Sequence, residues 1–216
     1  MAHAGPASSG VPSVPLLGVL ISGRGSNLQA IIRAIDDGRL AARVGIVISN
    51  RADAGGLEHA RVAGIPTAVI EHKGFGSRAS FEEALVARLT DAGVSIICLA
   101  GFMRILGPVF LDRAPGPVLN VHPSLLPAFP GVDAQLQAWT HGVKVAGATV
   151  HLVTTELDAG PIVAQATVAV ADADTPADLA ARILVEEHRI YPEAIGRLLR
   201  PGWRIDGRRF VPASGS

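Results

Sequence analysis

The chain has 216 residues, of which 49% are hydrophobic and only 4% aromatic, so aliphatic side chains must fill its core. This length suits one α/β domain. The 19 basic and 19 acidic residues cancel to zero formal charge, which argues against a general surface for nucleic acid or anionic membrane. The single cysteine, Cys98, excludes an intramolecular disulfide and suits a reducing compartment.

The two ends of the chain differ in composition from the rest. Residues 1–15 are rich in Ala, Gly, Ser and Pro and lack the basic and apolar stretches of a signal peptide, so we predict a disordered lead-in. No apolar run reaches the roughly 18 residues of a membrane helix, and we expect a cytoplasmic protein. Residues 16–200 are predicted to form a single domain. Residues 201–216 are predicted to form a C-terminal hairpin and tail, with its turn at Asp206-Gly207.

The first half of the chain alternates apolar strands with helices. Strands are predicted at residues 16–22, 44–49, 67–70, 94–100 and 118–122, and helices at 26–36, 56–63 and 80–91. Ser26 with Gln29, and Ser80 with Glu83, fit capping boxes at two of the helix starts. The strands are continuously apolar, which favours a parallel sheet covered by helices on both faces and joined by right-handed crossovers.

The second half has a different pattern. Residues 144–154 and 161–170 are Val-rich, partly alternating and too close in sequence for a helical connection, which predicts antiparallel strands. A helix is predicted over 175–200, with Thr175 as its N-cap, and Pro192 is expected to kink or break it. The predicted fold is therefore α/β, with an open, mostly parallel Rossmann-like sheet, helices on both faces and antiparallel strands in the C-terminal half.

A glycine-rich turn, Ser22-Gly-Arg-Gly-Ser-Asn27, joins the first strand to the first helix. Backbone amides at a helix N-terminus, together with the helix dipole, favour an anion such as phosphate. A tight turn needs glycine in any case, so a purely structural role stays open. The turn lacks the third glycine of a dinucleotide site, and no Gly-Lys-Ser/Thr occurs for a P-loop, so a mononucleotide phosphate is preferred.

Two polar side chains share one predicted strand end, in Asn120-Val-His-Pro-Ser-Leu-Leu-Pro127. Asn120 and His122 are two residues apart and therefore face the same side of a strand. Ligands of open α/β sheets bind beyond the carboxyl ends of strands. An amide that donates to an oxyanion, beside an imidazole that moves a proton, suits carbonyl chemistry. A structural asparagine and a hydrogen-bonded histidine are the alternative.

A second polar cluster, Thr154-Thr-Glu-Leu-Asp-Ala-Gly-Pro161, lies between the two antiparallel strands. Its Asp158 could orient or deprotonate His122 or a water molecule. A solvated turn is the alternative, because Asp-x-Gly is common in turns. His151, His122 and Asp158 could also bind a metal ion, but their spacing matches no defined metal motif, and we predict no metal.

Four segments in order resemble the folate-dependent formyltransferases, and in particular the branch that acts on glycinamide ribonucleotide. They are residues 21–29, 99–106, 120–127 and 151–161, and the similarity extends over about residues 17–199. The resemblance implies transfer of the formyl group of 10-formyltetrahydrofolate, as co-substrate, to the amine of glycinamide ribonucleotide in de novo purine biosynthesis. It implies that the amine attacks the formyl carbon directly, with no metal.

The resemblance also implies roles for individual residues. The family's catalytic trio corresponds to Asn120, His122 and Asp158. The ribonucleotide is expected to contact Gly25, Ser26 and Asn27 through its phosphate, and Glu187. The folate is expected to contact Arg78 and two segments consisting of Met103, Arg104, Ile105 and Leu106, and of Thr154, Thr155, Glu156, Leu157 and Asp158. One departure is visible, because Asp133, followed by Gln135, stands where the family usually has a histidine.

Three rival functions are distinguishable. A methionyl-tRNA formyltransferase would normally add a basic C-terminal domain, and a formyltetrahydrofolate hydrolase would normally add an N-terminal regulatory domain; neither is expected in this chain. A non-catalytic nucleotide-binding module would need the glycine-rich turn but not the trio. We therefore expect small-molecule partners, with no nucleic acid and no membrane. The sequence leaves the oligomeric state open, a homodimer included.

Overall fold

The computed structural model describes residues 14–213. Nearly all of the predicted disordered lead-in, and residues 214–216 of the predicted tail, lie outside this range. The described chain divides into two compact units, residues 14–120 and 121–213. A single domain over 16–200 stays a prediction, and each unit is described by itself.

The unit of residues 14–120 is built on a parallel sheet. Its strands are β1 (Leu16–Ile21), β2 (Arg43–Ser49), β3 (Thr67–Val69), β4 (Ile96–Leu99) and β5 (Val118–His122), the last of which runs on into the second unit. Their order across the sheet is β3-β2-β1-β4-β5, and every neighbouring pair is parallel. The central strands β1 and β4 are almost wholly buried, Cys98 included, as their continuous apolar sequences predicted.

Four helices connect these strands: α1 (Ser26–Asp36), α2 (Gly56–Val62), α3 (Arg78–Asp91) and α4 (Pro108–Arg113). The sequence predicted the first three and missed α4, which has only six residues. Both predicted capping boxes are wrong. The N-cap of α1 is Gly25, without a side-chain cap, and α3 begins two residues early with a capping box between Ser77 and Ser80.

Gly25 allows the turn after β1 to pack closely against the start of α2. Its φ of 77° lies in the left-handed region that favours glycine. A Cβ at Gly25 would lie 2.5 Å from the Cα of Gly56, and the Gly56 N–H donates to the carbonyl of Gly23 at 3.0 Å. Gly25 is therefore required both by its backbone conformation and by the backbone that touches it.

Replacing Gly25 by alanine is expected to lower the free energy of unfolding by about 3 kcal/mol, since left-handed backbone costs roughly 1–2 kcal/mol and overpacking a further 1–3. Gly38→Ala is the matched control, because Gly38 has a φ of 72° but nothing within 4 Å of its Cβ position. Urea denaturation gives the free energy of unfolding of both variants, and their difference separates the cost of the close contact at Gly25 from the backbone strain that both share. Equal losses would contradict the close packing.

The unit of residues 121–213 contains two helices and four strands: α5 (Ala134–Thr140), β6 (Val145–Leu152), β7 (Ile162–Ala169), α6 (Pro176–Leu199), β8 (Arg204–Asp206) and β9 (Arg209–Val211). Strands β6 and β7 are antiparallel, as predicted from their short connection. Strands β8 and β9 form an antiparallel hairpin whose turn contains Gly207 at a φ of 60°, and β9 pairs with β7. The seven-residue helix α5 was not predicted.

Helix α6 begins as predicted but is not broken by Pro192. The Thr175 hydroxyl accepts from the N–H of Asp178, and the Asp178 carboxylate accepts from the N–H of Thr175, forming a capping box. The helix continues through Pro192 to Leu199. The residues around Pro192, including Tyr191 and Ile195, are buried, and this packing holds the segment helical despite the missing N–H.

The α/β class, with mostly parallel strands and antiparallel strands in the C-terminal half, is confirmed. Between residues 14 and 213, no helix has both the length and the apolar character needed to span a membrane.

Candidate active site

Asn120 and His122 lie on β5, one at the end of the first unit and the other at the start of the second. Because alternate residues of a strand face the same side, their side chains share one side of β5 and Val121 faces the other. His122 is 5% exposed, and Asn120 is half-buried. The local sequence Val-Leu-Asn-Val-His thus presents one amide and one imidazole beside each other on an otherwise apolar strand.

Asp158 lies in the loop between β6 and β7, where its carboxylate meets two histidines. Its Oδ2 is 3.5 Å from Nδ1 of His122, and its Oδ1 is 3.6 Å from Nε2 of His151. Oδ2 also accepts the backbone N–H of Gly131 at 2.8 Å. The structure therefore brings together His122 and Asp158, as the sequence predicted, and adds His151 to them.

The charge of Asp158 is stabilised by these neighbours. Burial raises the pKa of its carboxyl group, since the side chain is only 9% exposed. Hydrogen bonding with His151 and Gly131, and the electrostatic interaction with His122 and His151, outweigh burial and hold the pKa of Asp158 below its ordinary value. The site thus favours a carboxylate that remains ionised.

This lowered pKa predicts a pH dependence of stability. A carboxyl group with a lowered pKa in the folded state stabilises the fold above its unfolded pKa of about 3.9, and that contribution is lost as pH falls through the folded pKa. The melting temperature of the wild-type protein should therefore exceed that of Asp158→Asn by more at pH 6 than at pH 3. A difference that stays constant or grows on acidification would contradict the lowered pKa.

His122 has an acceptor at each ring nitrogen. Its Nε2 lies 2.9 Å from the carbonyl oxygen of Phe129, and its Nδ1 faces Asp158. A carbonyl oxygen only accepts, so Nε2 carries a hydrogen and donates it to Phe129. Phe129 itself has a φ of 53°, so its carbonyl is directed at His122 by left-handed backbone.

Sequence reasoning missed the backbone groups of the loop after His122. Phe129 and Gly131 supply a carbonyl and an amide to the cluster, and backbone partners leave no signature in side-chain identity. Asp133, which departs from the family pattern, is the N-cap of α5 with a φ of 54° and makes no side-chain cap hydrogen bond. The loop of residues 129–133 therefore contributes backbone groups to the cluster around His122 and Asp158.

The C-terminal hairpin also reaches the Asp158 loop. Nη2 of Arg208 donates to the carbonyl of Ala159 at 2.7 Å. A cavity of about 430 Å³ lies beside Asp158, and Arg208 and Phe210 of the hairpin help to line it. The hairpin is thus part of the surroundings of Asp158, which its sequence position did not indicate.

The glycine-rich turn lies at the N-terminus of α1, and its role as a phosphate site stays a prediction. Gly25 precedes α1, and Ser26 and Asn27 form its first turn, where backbone N–H groups lack helical acceptors. No acidic residue lies in that turn to oppose a bound anion. Helix α1 has eleven residues, so its dipole also favours negative charge at this end.

The predicted folate residues of the first unit lie close to one another. Met103, Arg104, Ile105 and Leu106 form an irregular segment after β4, with Leu106 buried and the other three exposed. Nη2 of Arg78 donates to the carbonyl of Ile105 at 2.8 Å, and the N–H of Met103 donates to Oγ of Ser22. The structure therefore joins Arg78 to this segment, and their shared role in binding folate stays a prediction.

The remaining predicted contacts lie in the second unit. Thr154, Thr155, Glu156 and Leu157 form the exposed loop that precedes Asp158. Glu187 is buried within α6. Within residues 14–213, no group of three or more His, Cys, Asp or Glu side chains is arranged to hold a metal ion.

Comparison with known proteins gives the class of the chain. The formyl transferase family matches residues 17–195. The chain belongs to this family, so it is an enzyme that transfers one-carbon groups, as predicted.

Individual relatives indicate the branch of the formyl transferase family to which the chain is most similar. The chain is 45% identical over 202 residues to phosphoribosylglycinamide formyltransferase of Escherichia coli, covering 90% of this chain and 95% of that protein. It is 48% identical over 177 residues to the human trifunctional purine biosynthetic protein adenosine-3, covering 82% of this chain but 18% of that longer protein. The crystal structure of glycinamide ribonucleotide transformylase 1 from Symbiobacterium toebii matches with a TM-score of 0.90 and 52% identity, covering 93% of this chain and 95% of that one. The predicted membership of the phosphoribosylglycinamide formyltransferases is confirmed.

Proposed function

We propose that the protein transfers the formyl group of 10-formyltetrahydrofolate to the amine of glycinamide ribonucleotide, giving formylglycinamide ribonucleotide and tetrahydrofolate in de novo purine biosynthesis. The observation that carries the proposal is that His122 pairs with an ionised Asp158. His122 lies on β5, the strand that also bears Asn120. The similarity to glycinamide ribonucleotide formyltransferases over nearly the whole chain supports the choice of substrates. The single cysteine, Cys98, is buried and suits the reducing cytoplasm.

The proposed reaction proceeds by direct attack. The amine nitrogen of the ribonucleotide bonds to the formyl carbon, whose oxygen gains negative charge. The side-chain amide of Asn120 and the protonated ring of His122 stabilise that oxyanion by donating to it. Nε2–H of His122 donates to the Phe129 carbonyl, and in the proposed reaction the substrate oxygen takes the place of this carbonyl as acceptor.

Completion of the reaction needs one proton to move. The attacking nitrogen becomes cationic and loses a proton, while the bond between the formyl carbon and the folate N10 breaks and N10 gains one. Asp158 remains ionised at neutral pH because its partners lower its pKa. Its carboxylate faces Nδ1 of His122, and, through a water molecule, it can accept the amine proton on its way to N10.

The substrates are assigned to the residues described above. The phosphate of the ribonucleotide is assigned to Gly25, Ser26 and Asn27, because the N-terminus of a helix favours an anion and no acidic residue lies in the first turn of α1. The buried Glu187 is assigned to the ribonucleotide. The folate is assigned to Arg78 and to residues 103–106 and 154–158. This proposed enzyme uses the folate as co-substrate and no metal.

A labelling experiment tests the proposal. The enzyme is given 10-formyltetrahydrofolate with ¹³C in its formyl group, together with glycinamide ribonucleotide, and the ribonucleotide is followed by mass spectrometry. The proposal predicts that the label appears in the ribonucleotide at the rate at which tetrahydrofolate forms. Release of labelled formate at that rate, without labelled ribonucleotide, would contradict it.

A further inference from the structure

Glu82 is a buried carboxylate that the proposed reaction does not use. Its side chain is 2% exposed, and it lies on α3 one turn after Arg78. Glutamate is almost never fully buried unless it is paired. The hydrogen-bond partners of Glu82 therefore indicate its role.

The partners of Glu82 come from its own helix and from the start of α4. Oε1 accepts Nε–H of Arg78 at 2.7 Å and the backbone N–H of Gly107 at 2.7 Å. Oε2 accepts the N–H of Phe110 at 3.1 Å. Gly107 is the N-cap of α4 and has no side chain to cap it, so Glu82 supplies the missing acceptor.

Arg78 is thereby fixed at two points. Nε is held by Glu82, and Nη2 is held by the carbonyl of Ile105. The side chain is nevertheless 55% exposed, so the other N–H groups of the guanidinium are accessible to a ligand. An arginine oriented in advance loses less conformational freedom when it binds an anionic group in a bidentate manner.

Gly107 lies directly against the guanidinium of Arg78 and its carboxylate partner. A Cβ at this position would lie 2.9 Å from Nη2 of Arg78 and 3.1 Å from Oε1 of Glu82. The backbone of Gly107 is therefore packed directly against the ion pair. Because Gly107 follows residues 103–106 directly, the same contacts fix the end of that segment.

We infer that Glu82 is a positioning residue for folate binding: it orients Arg78 and anchors the backbone that follows residues 103–106. This inference rests on the proposed function and on the assignment of Arg78 to the folate. Glu82 itself is covered by its partners and does not touch the folate. Its removal should therefore change folate affinity and leave the chemical step unchanged.

The test compares Glu82→Gln with the wild-type enzyme in formyl transfer. Glutamine keeps the shape but loses the charge, and its amide group repels one of the three N–H donors. The KM for 10-formyltetrahydrofolate should rise about tenfold, while kcat and the KM for glycinamide ribonucleotide change by less than twofold. Glu83→Gln is the matched control, because the exposed Glu83 pairs with Arg113 on the protein surface; it should change none of these values.

A second comparison, made in the Arg78→Met enzyme, distinguishes a role of Glu82 in positioning Arg78 from a role in stabilising the helices. In Arg78→Met, the further change Glu82→Gln should raise the folate KM by less than twofold, since there is no guanidinium left to orient. An equal tenfold rise in both backgrounds would overturn the inference. If Glu82→Gln does not fold, Gly107→Ala replaces it, with a tenfold rise expected in the wild-type background and none in Arg78→Met.

The two proposals fail in different ways. A wild-type enzyme that does not formylate glycinamide ribonucleotide would overturn the proposed function. An active wild-type enzyme whose folate KM is unchanged in Glu82→Gln, or in Gly107→Ala if that variant is needed, would overturn only the positioning role of Glu82.

Discussion

Replacing Asp158 by asparagine is expected to lower kcat for formyl transfer by about 10⁴-fold, the loss seen when the carboxylate that orients a catalytic histidine is neutralised. Asparagine has nearly the same shape and can still accept the Gly131 N–H that now reaches Oδ2 at 2.8 Å. It lacks the charge that faces Nδ1 of His122 and Nε2 of His151. The fall in kcat would therefore measure the effect of removing the charge and not a change in packing.

The matched control for this variant is Asp172→Asn. Asp172 is exposed and pairs with Lys144 on the surface of the same unit, so its kcat should stay within twofold of the wild-type value. Steady-state rates with both substrates saturating give the comparison. A kcat for Asp158→Asn within tenfold of wild type would show that Asp158 does not support the reaction.

Asn120→Ala should lower kcat by about a hundredfold or more, or ~3 kcal/mol, the usual cost of losing one oxyanion donor. The amide has no substitute on its side of β5, where the next side chain is His122. The KM values for both substrates should change little, because the donor acts on charge that develops only in the transition state.

Val121→Ala is the control on the same strand. Val121 is buried and faces the other side of β5, so its truncation should lower the melting temperature without lowering kcat at 25 °C more than twofold. Equal effects of the two substitutions on kcat would mean that the strand, and not the amide of Asn120, is what the reaction requires.

The sequence was informative about side chains that are close to one another in sequence or that lie at strand ends. Asn120 and His122 were identifiable because a two-residue spacing on a strand fixes their relative direction. Asp158 was identifiable because a polar, glycine-containing loop followed a long apolar strand. The parallel and antiparallel halves followed from connection length, since a helix needs residues that the link between β6 and β7 does not have.

The sequence was less informative where hydrogen-bond partners are distant in sequence or belong to the backbone. Glu82 accepts from Gly107 and Phe110, which follow it by 25 and 28 residues, and α4 was missed because its cap comes from that distant carboxylate. The i,i+4 spacing of Arg78 and Glu82 was the available signal. The predicted capping boxes failed because the matching residues lay one or more positions inside the true helix starts.

The central claim is tested most directly by offering the enzyme three acceptors in one mixture: glycinamide ribonucleotide, initiator methionyl-tRNA and water, with 10-formyltetrahydrofolate as donor. Mass spectrometry then distinguishes the formylated ribonucleotide, formyl-methionyl-tRNA and free formate. We predict that the ribonucleotide receives nearly all of the formyl group consumed. Formate or formyl-methionyl-tRNA as the main product, or no turnover by folded protein, would contradict the assignment.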